Sequence, residues 1–263
     1  MGRPSPNAGE ADPLKYSLTT RFKDRHILKL LAPLSGKTIL DVGCGIGYLS
    51  GLAAEQGATV FGMDPDLDCL RVYSDRACSL PLAGSAFYLP LQENVFDGVI
   101  MADVIEHLPF PEQALKEVHR VLKANGRLVV STPHSKGWLA GTYLKERLIH
   151  GQHHGHQRHY MAGYDETALS RLYASCRIAP DATIVTNPLT SELFLGLVKL
   201  GYAVKKPTYT SQAQLTPVAN SLMFRIYRRL LFPWMYAIGR LEERLLGDYI
   251  PGHCIVMRGI AVK

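Results

Sequence analysis

Residues 40–47, Leu40-Asp41-Val42-Gly43-Cys44-Gly45-Ile46-Gly47, put three glycines at alternate positions directly after a short apolar run. Glycine takes backbone conformations that a Cβ forbids, so such a turn suits a ligand held close against main chain. The spacing is Gly-x-Gly-x-Gly, whereas the dinucleotide fingerprint needs glycine where Tyr48 stands. The next apolar run, Val60-Phe61-Gly62-Met63, ends in Asp64. A carboxylate at such a strand end can accept both hydroxyls of an adenosine ribose. The competing account is a structural turn beside a solvated aspartate.

Two histidine-bearing segments could carry reaction chemistry. His107 closes Asp103-Val104-Ile105-Glu106-His107. Its ordinary pKa of about 6.5 suits a general base near neutrality, so it is expected either to be the base, contacting the acceptor, or to hold its own loop. His150, His153, His154, His156 and His159 crowd a second segment with Arg158 and Tyr160. No carboxylate lies among them and they share no helical or strand period, so no metal is expected. Cys44, Cys69, Cys78, Cys176 and Cys254 form no Cys-x-x-Cys pair, which argues against a thiolate zinc site or a disulfide framework and suits a reducing cytosol.

These residues need elements to position them. Hydrophobic periodicity and turn residues predict helices over 14–32, 48–56, 67–76, 111–122 and 165–175. Strands are predicted over 38–42, 59–63, 80–87, 96–102, 127–131, 182–186 and 253–262. Strand and helix alternate through the first 135 residues, which implies a mostly parallel sheet covered on both faces. The expected fold class is α/β, a Rossmann-like seven-stranded sheet with a helical insert between its last two strands. The boundaries read 1–13 loose tail without a signal peptide, 14–187 core, 188–250 insert and 251–263 final core strand.

The sequence resembles the class I S-adenosylmethionine-dependent methyltransferases, especially the branch with the ubiquinone and menaquinone methyltransferases. The resemblance rests on residues 40–47, Asp64, Leu89-Pro90, Asn94-Val95-Phe96-Asp97-Gly98-Val99, Asp103 to Leu108 and Glu117 to Lys123, in that order. It implies S-adenosylmethionine as cofactor. Gly43, Gly45 and Gly47 would pass under its methionine and ribose parts. Asp41 would orient the loop and the cofactor ammonium, and Asp64 would hold the ribose. Ala102 and Asp103 would lie beside the methionyl portion, and Arg21 or Arg25 could reach its carboxylate, although a solvated helix face is the simpler reading of the two arginines. The family places an acid five residues before the Leu-Pro proline to accept from the adenine amino group; here Ser85 stands there, next to Ala86, a weaker acceptor. His156, Arg158 and Tyr160 match the family's His-x-Arg-x-Tyr-like stretch, which implies a lid over the acceptor.

The net charge of +6 sits entirely after residue 187: residues 188–263 carry ten Lys and Arg against four acids. Within 222–246, Met223, Ile226, Tyr227, Leu230, Leu231 and Trp234 recur at helical spacing beside Arg225, Arg228 and Arg229, and Pro233 is expected to start or kink a second helix. Two readings stand: a helix lying on an anionic membrane surface, or a cap on the core or on a second subunit, which leaves a homo-oligomer open. Both favour a lipophilic small-molecule acceptor, such as a quinone precursor, phenol, isoprenoid or lipid-linked compound, methylated first on O and otherwise on N or C. The expected setting is cytoplasmic or peripheral on the inner face of a membrane. RNA methylation is the main competitor, given a pI near 9.0, but Asp103-Val104-Ile105-Glu106-His107 replaces the Asn/Asp-Pro-Pro-aromatic motif of base-amino methylases, so no nucleic acid is expected. A non-catalytic partner subunit and a dinucleotide oxidoreductase fit the intact loop and Asp64 less well.

Overall fold

The computed structural model describes residues 13–76, 80–136, 160–161, 163–186, 188–191, 193, 222–247, 249 and 252–263. Seven strands form one sheet in the order β3-β2-β1-β4-β5-β7-β6. They are β1 (Thr38–Val42), β2 (Thr59–Asp64), β3 (Leu80–Ala83), β4 (Phe96–Ala102), β5 (Leu122–Pro133), β6 (Ile178–Thr186) and β7 (Cys254–Ala261). The first five run parallel; β7 runs antiparallel to both β5 and β6.

Both faces of the sheet are covered, which is why its central strands are near-continuous apolar runs. Leu40, Val42, Val99, Met101, Leu128 and Val130 face one core with helices α4 (Pro111–Val121) and α5 (Glu166–Ser175). The alternate residues Ile39, Ile100 and Val129 face a second core with α1 (Leu18–Leu31) and α2 (Tyr48–Glu55). In α4, Ala114, Leu115, Val118 and Val121 are fully buried at helical spacing, each larger side chain contributing about 1.5–3 kcal/mol. Helix α3 (Leu67–Arg76) covers the β2–β3 connection.

Where the elements depart from the sequence expectation, local chemistry explains it. The expected 14–32 helix is a 3-10 turn, Pro13–Tyr16, followed by α1. Ser17 interrupts it because its hydroxyl accepts the Thr20 N–H and caps α1. The third strand stops at Ala83, since Ser85 folds the chain back: its Oγ accepts from Phe87 N–H and its carbonyl from Tyr88 N–H. Strand β6 starts at Ile178, earlier than expected, with its register to β7 shifting between Pro180 and Ala182. Proline donates no ladder bond, and an edge strand tolerates that.

The insert after β6 contains a long helix, α6 (Leu222–Ile226), a π turn (Tyr227–Leu231) and α7 (Phe232–Leu246), before the chain returns as β7. Pro233 sits in the first turn of α7. No helix of the described residues is long and apolar enough to cross a membrane.

Candidate active site at the carboxyl edge of the sheet

From β1 the chain steps outward through β2 and β3, then returns to the other side of β1 with β4 and β5. The order reverses between β1 and β4, and the crevice outside the carboxyl ends of these strands is where open α/β sheets bind ligands. The glycine loop leaves β1 there. Gly43, Gly45 and Gly47 all have positive φ (73°, 53° and 78°). A Cβ on Gly43 would meet Val104 Cγ2, and one on Gly47 the Tyr73 ring, each at 2.4 Å. The loop therefore needs glycine for its dihedrals and for its close approach to the β4 turn and α3.

Asp64, at the end of β2, ties the loop to the sheet. Its Oδ2 accepts from Gly45 N–H at 2.8 Å and its Oδ1 from Asp66 N–H at 2.9 Å. Burial raises its pKa, with the two amide bonds pulling the other way. Asp41, buried in β1, accepts the Ser50 hydroxyl at 2.6 Å, a bond that fixes α2 against the loop. Burial pushes Asp41 up to about 7, and Asp64 adds to the rise.

Beyond β4, Asp103 adopts positive φ (55°), and its N–H bonds the Ser131 carbonyl of β5. Its exposed carboxylate pairs with Lys23 of α1. Burial works against the Lys23 charge, but Asp103 and Asp24 more than offset it and hold the ammonium above the usual lysine range. Asp24 is 3% exposed, and one of its carboxylate oxygens has no hydrogen-bond partner. Burial pushes Asp24 up to about 7, against the pull of Lys23. Glu106 is buried, accepts the Thr132 hydroxyl at 3.1 Å, and is pushed up to about 7 by burial and then by Asp103.

The described site residues thus gather at one edge. Asp41, the three glycines, Asp64, Ala102 and Asp103 border the crevice. Ser85, exposed, and Ala86, half-buried, lie past the end of β3. His107, half-buried, ends the 3-10 turn Ile105–His107. Tyr160 is exposed, but its N–H bonds the Glu106 carbonyl at 2.8 Å, which clips that segment to the turn bearing His107. His156, Arg158 and the remaining clustered histidines lie outside the described residues. Among the described residues no group of His, Cys, Asp or Glu is arranged to hold a metal.

Both arginines of α1 have partners near α7. Arg25 pairs with Glu243 of α7, and the Arg21 guanidinium lies 5.8 Å from the Tyr236 ring centre. Lys23 reaches the crevice through Asp103, and Arg21 also bonds Tyr48, directly after Gly47. In the sequence Lys23 sits between Phe22 and Asp24, in an Arg-Phe-Lys-Asp-Arg run that reads as a solvated helix face.

The crevice is a match for one cofactor chemistry. Five carboxyl groups, Asp24, Asp41, Asp64, Asp103 and Glu106, lie close enough at this edge to act on one another, with Lys23 paired to Asp103. A phosphate-bearing dinucleotide would face these acids with little to offset the repulsion. S-adenosylmethionine brings a sulfonium, an ammonium and ribose hydroxyls, all suited to carboxylates, and one carboxylate for Lys23.

The Methyltransferase domain family matches residues 40–130. The ubiquinone biosynthesis O-methyltransferase of Thiobacillus denitrificans is 29% identical over 181 residues, covering 64% of this chain and 73% of that protein. The demethylmenaquinone methyltransferase of Renibacterium salmoninarum is 33% identical over 121 residues, 46% of this chain and 51% of that one. The fold also aligns with Haemonchus contortus phosphoethanolamine N-methyltransferase 2, solved with S-adenosyl-L-methionine, at TM-score 0.57 and 17% identity over 92% of this chain and 52% of that chain. The domain match and these relatives support a class I S-adenosylmethionine-dependent methyltransferase. The chain spans between half and three quarters of the length of the named quinone-type relatives.

Proposed function

We propose that this methyltransferase transfers the methyl group of S-adenosylmethionine to an oxygen nucleophile of a lipophilic small molecule, with phenols and quinone precursors the first candidates. The observation that carries the reading is the acidic crevice beside a three-glycine loop. The named activities of the two quinone-type relatives direct it toward that acceptor class. When bound, the cofactor supplies an electrophilic methyl group on a sulfonium.

The chain's own residues bind, orient and move a proton. Asp64 would accept the ribose hydroxyls through the lone pairs that Gly45 and Asp66 leave open. Asp41 and Asp24 would face the ammonium, and Lys23 the carboxylate. Ser85 and Ala86 would edge the adenine. His107 would take the proton from the acceptor hydroxyl onto its imidazole, leaving the oxygen free to act as nucleophile. Tyr160 would lie beside the acceptor, since its backbone is fastened to the Glu106 carbonyl beside His107. Such alignment and proton removal are what a displacement of this type asks of a protein.

The test is incubation with methyl-labelled S-adenosylmethionine and an organic extract of the host. Label in an apolar product whose mass rises by one methyl supports the reading. Label only in a polar product, or in added RNA, counts against it.

A further inference from the structure

The helix from Leu222 to Leu246 has two unlike faces. Its inner face packs on α1 and the turn before it. The Tyr16 ring meets Phe224 and Phe232 at 5.9 and 5.3 Å, and Phe22 meets Tyr236 at 5.1 Å. Tyr227 donates its hydroxyl to the Tyr16 carbonyl at 2.8 Å. Gly239 is buried against Phe22 and Pro188, where a Cβ would meet the Phe22 ring at 2.7 Å. Tyr227 therefore leaves the stripe read from sequence, and Arg228 turns inward too, its guanidinium 5.5 Å from the Tyr16 ring centre.

The outer face is apolar and exposed. Leu222, Ile226, Leu230, Trp234 and Ile238 stand every fourth residue, followed by Leu241 and Leu245, with Tyr249 just beyond. Trp234 is 73% exposed and Tyr249 81%. In an uninterrupted α-helix each step of four overshoots a full turn by about 40°, so four steps would carry the stripe about 160° around. The π turn corrects this drift. Phe232 N–H bonds the Tyr227 carbonyl, an i→i+5 bond that takes up one extra residue and turns the second half back by roughly 100°. The stripe stays on one side along the whole helix, opposite Gly239.

The charges are sorted as well. The helix holds five arginines and two acids, Glu242 and Glu243. Both acids point into the protein. Glu242 accepts from the Leu189 and Thr190 amides and the Thr190 hydroxyl. Glu243 accepts from His26 at 2.7 Å and Thr186 at 2.6 Å and pairs with Arg25. Arg225 and Arg229, the latter within the turn, and then Arg240 and Arg244 beyond it recur four apart and are exposed. The outer side of the helix therefore carries apolar groups and positive charge alone.

We propose that this face docks on an anionic bilayer surface, with the apolar stripe in the acyl boundary and the arginines against lipid phosphates. Exposed Trp and Tyr belong at that depth, and an amphipathic helix with arginine at its polar edge gains from both surface charge and apolar burial. A second copy of the chain is a poor occupant, because its matching face brings arginines and no acid to meet them. The proposal extends the functional reading by naming the surface where a lipophilic acceptor is met.

The test uses the full chain carrying Trp138→Phe, which leaves Trp234 as its tryptophan. Vesicles of phosphatidylcholine, alone or with phosphatidylglycerol, are added without methyl donor. The expected result is a blue shift of tryptophan emission and co-sedimentation with the phosphatidylglycerol vesicles, weakened by high salt. Arg225→Gln with Arg229→Gln and Arg244→Gln should weaken binding about hundred-fold, with S-adenosylmethionine binding unchanged. Leu230→Glu with Leu241→Glu should abolish insertion and leave the circular dichroism intact. Equal binding to both lipids, no binding to either, or a concentration-dependent dimer that shields Trp234 without vesicles would each overturn the proposal. Methyl transfer to a soluble phenol, measured without vesicles, reports on the catalytic reading separately.

Discussion

The carboxyl edge of the sheet and the outer face of the 222–246 helix are opposites in charge and burial. The crevice concentrates carboxyl groups, three of which, Asp24, Asp41 and Glu106, are buried deeply enough to be pushed up to about 7. The helix face concentrates exposed apolar groups and arginines. Both regions keep charge that folding alone would discard. A buried carboxyl with an open lone pair costs free energy until a cation or a donor arrives, and an exposed apolar stripe keeps its cost until something covers it. On the two proposals, a small cation-bearing ligand offsets the first cost and an extended anionic surface the second.

The largest effect should come from the loop. Gly47→Val must place a branched side chain at positive φ and against the Tyr73 ring. S-adenosylmethionine binding should become unmeasurable by calorimetry, while vesicle binding by the helix persists in protein that stays folded. Loss of both functions in a folded variant would break the separation of the two regions.

His107→Ala should lower kcat about hundred-fold or more and leave cofactor affinity nearly unchanged. A variant with wild-type turnover would return His107 to holding the turn that Tyr160 clips.

The smallest effect concerns pH. For Asp24, Asp41 and Glu106 the folded pKa lies above the unfolded value, so between those two values the native state holds protons that the unfolded chain has released. Stability should therefore fall as pH rises from about 4 to about 7 and level off above it. Asp24→Asn should flatten that slope in thermal unfolding measured across the range. Saturating S-adenosylmethionine should flatten it too, because its ammonium favours the ionised carboxylates. A slope that neither change affects would show that these acids do not set the pH response.

Much of the crevice was legible in the sequence because its parts are local. The glycines of 43–47 sit between a strand and a helix, and Asp64 and Asp103 each close an apolar strand. Lys23, Asp24 and Thr132 escaped because they join the site only when α1 and β5 come to lie beside β4. Asp24 lies between two basic residues in sequence and gives no sign of burial. The double role of Asp64, which clasps Gly45 as well as facing the crevice, is likewise a contact across nineteen residues. In the helix, periodicity showed a stripe that included Tyr227, with Arg228 among the arginines beside it. The π turn, invisible to that periodicity, is what keeps Trp234 in line with Leu222.

The central claim is that the acidic crevice between β1 and β4 holds S-adenosylmethionine by its ribose through Asp64. Calorimetric titration of the cofactor into the wild type, Asp64→Asn and Asp64→Ala tests it most directly. Asn retains an acceptor for the Gly45 N–H, so it separates the clasp from the charge. The expected result is saturable binding to the wild type, weakened in the Asn variant and weakened about ten- to hundred-fold in the Ala variant, the loss of charge-assisted hydrogen bonds. Equal affinity in all three proteins, or no binding to the folded wild type, would contradict the account.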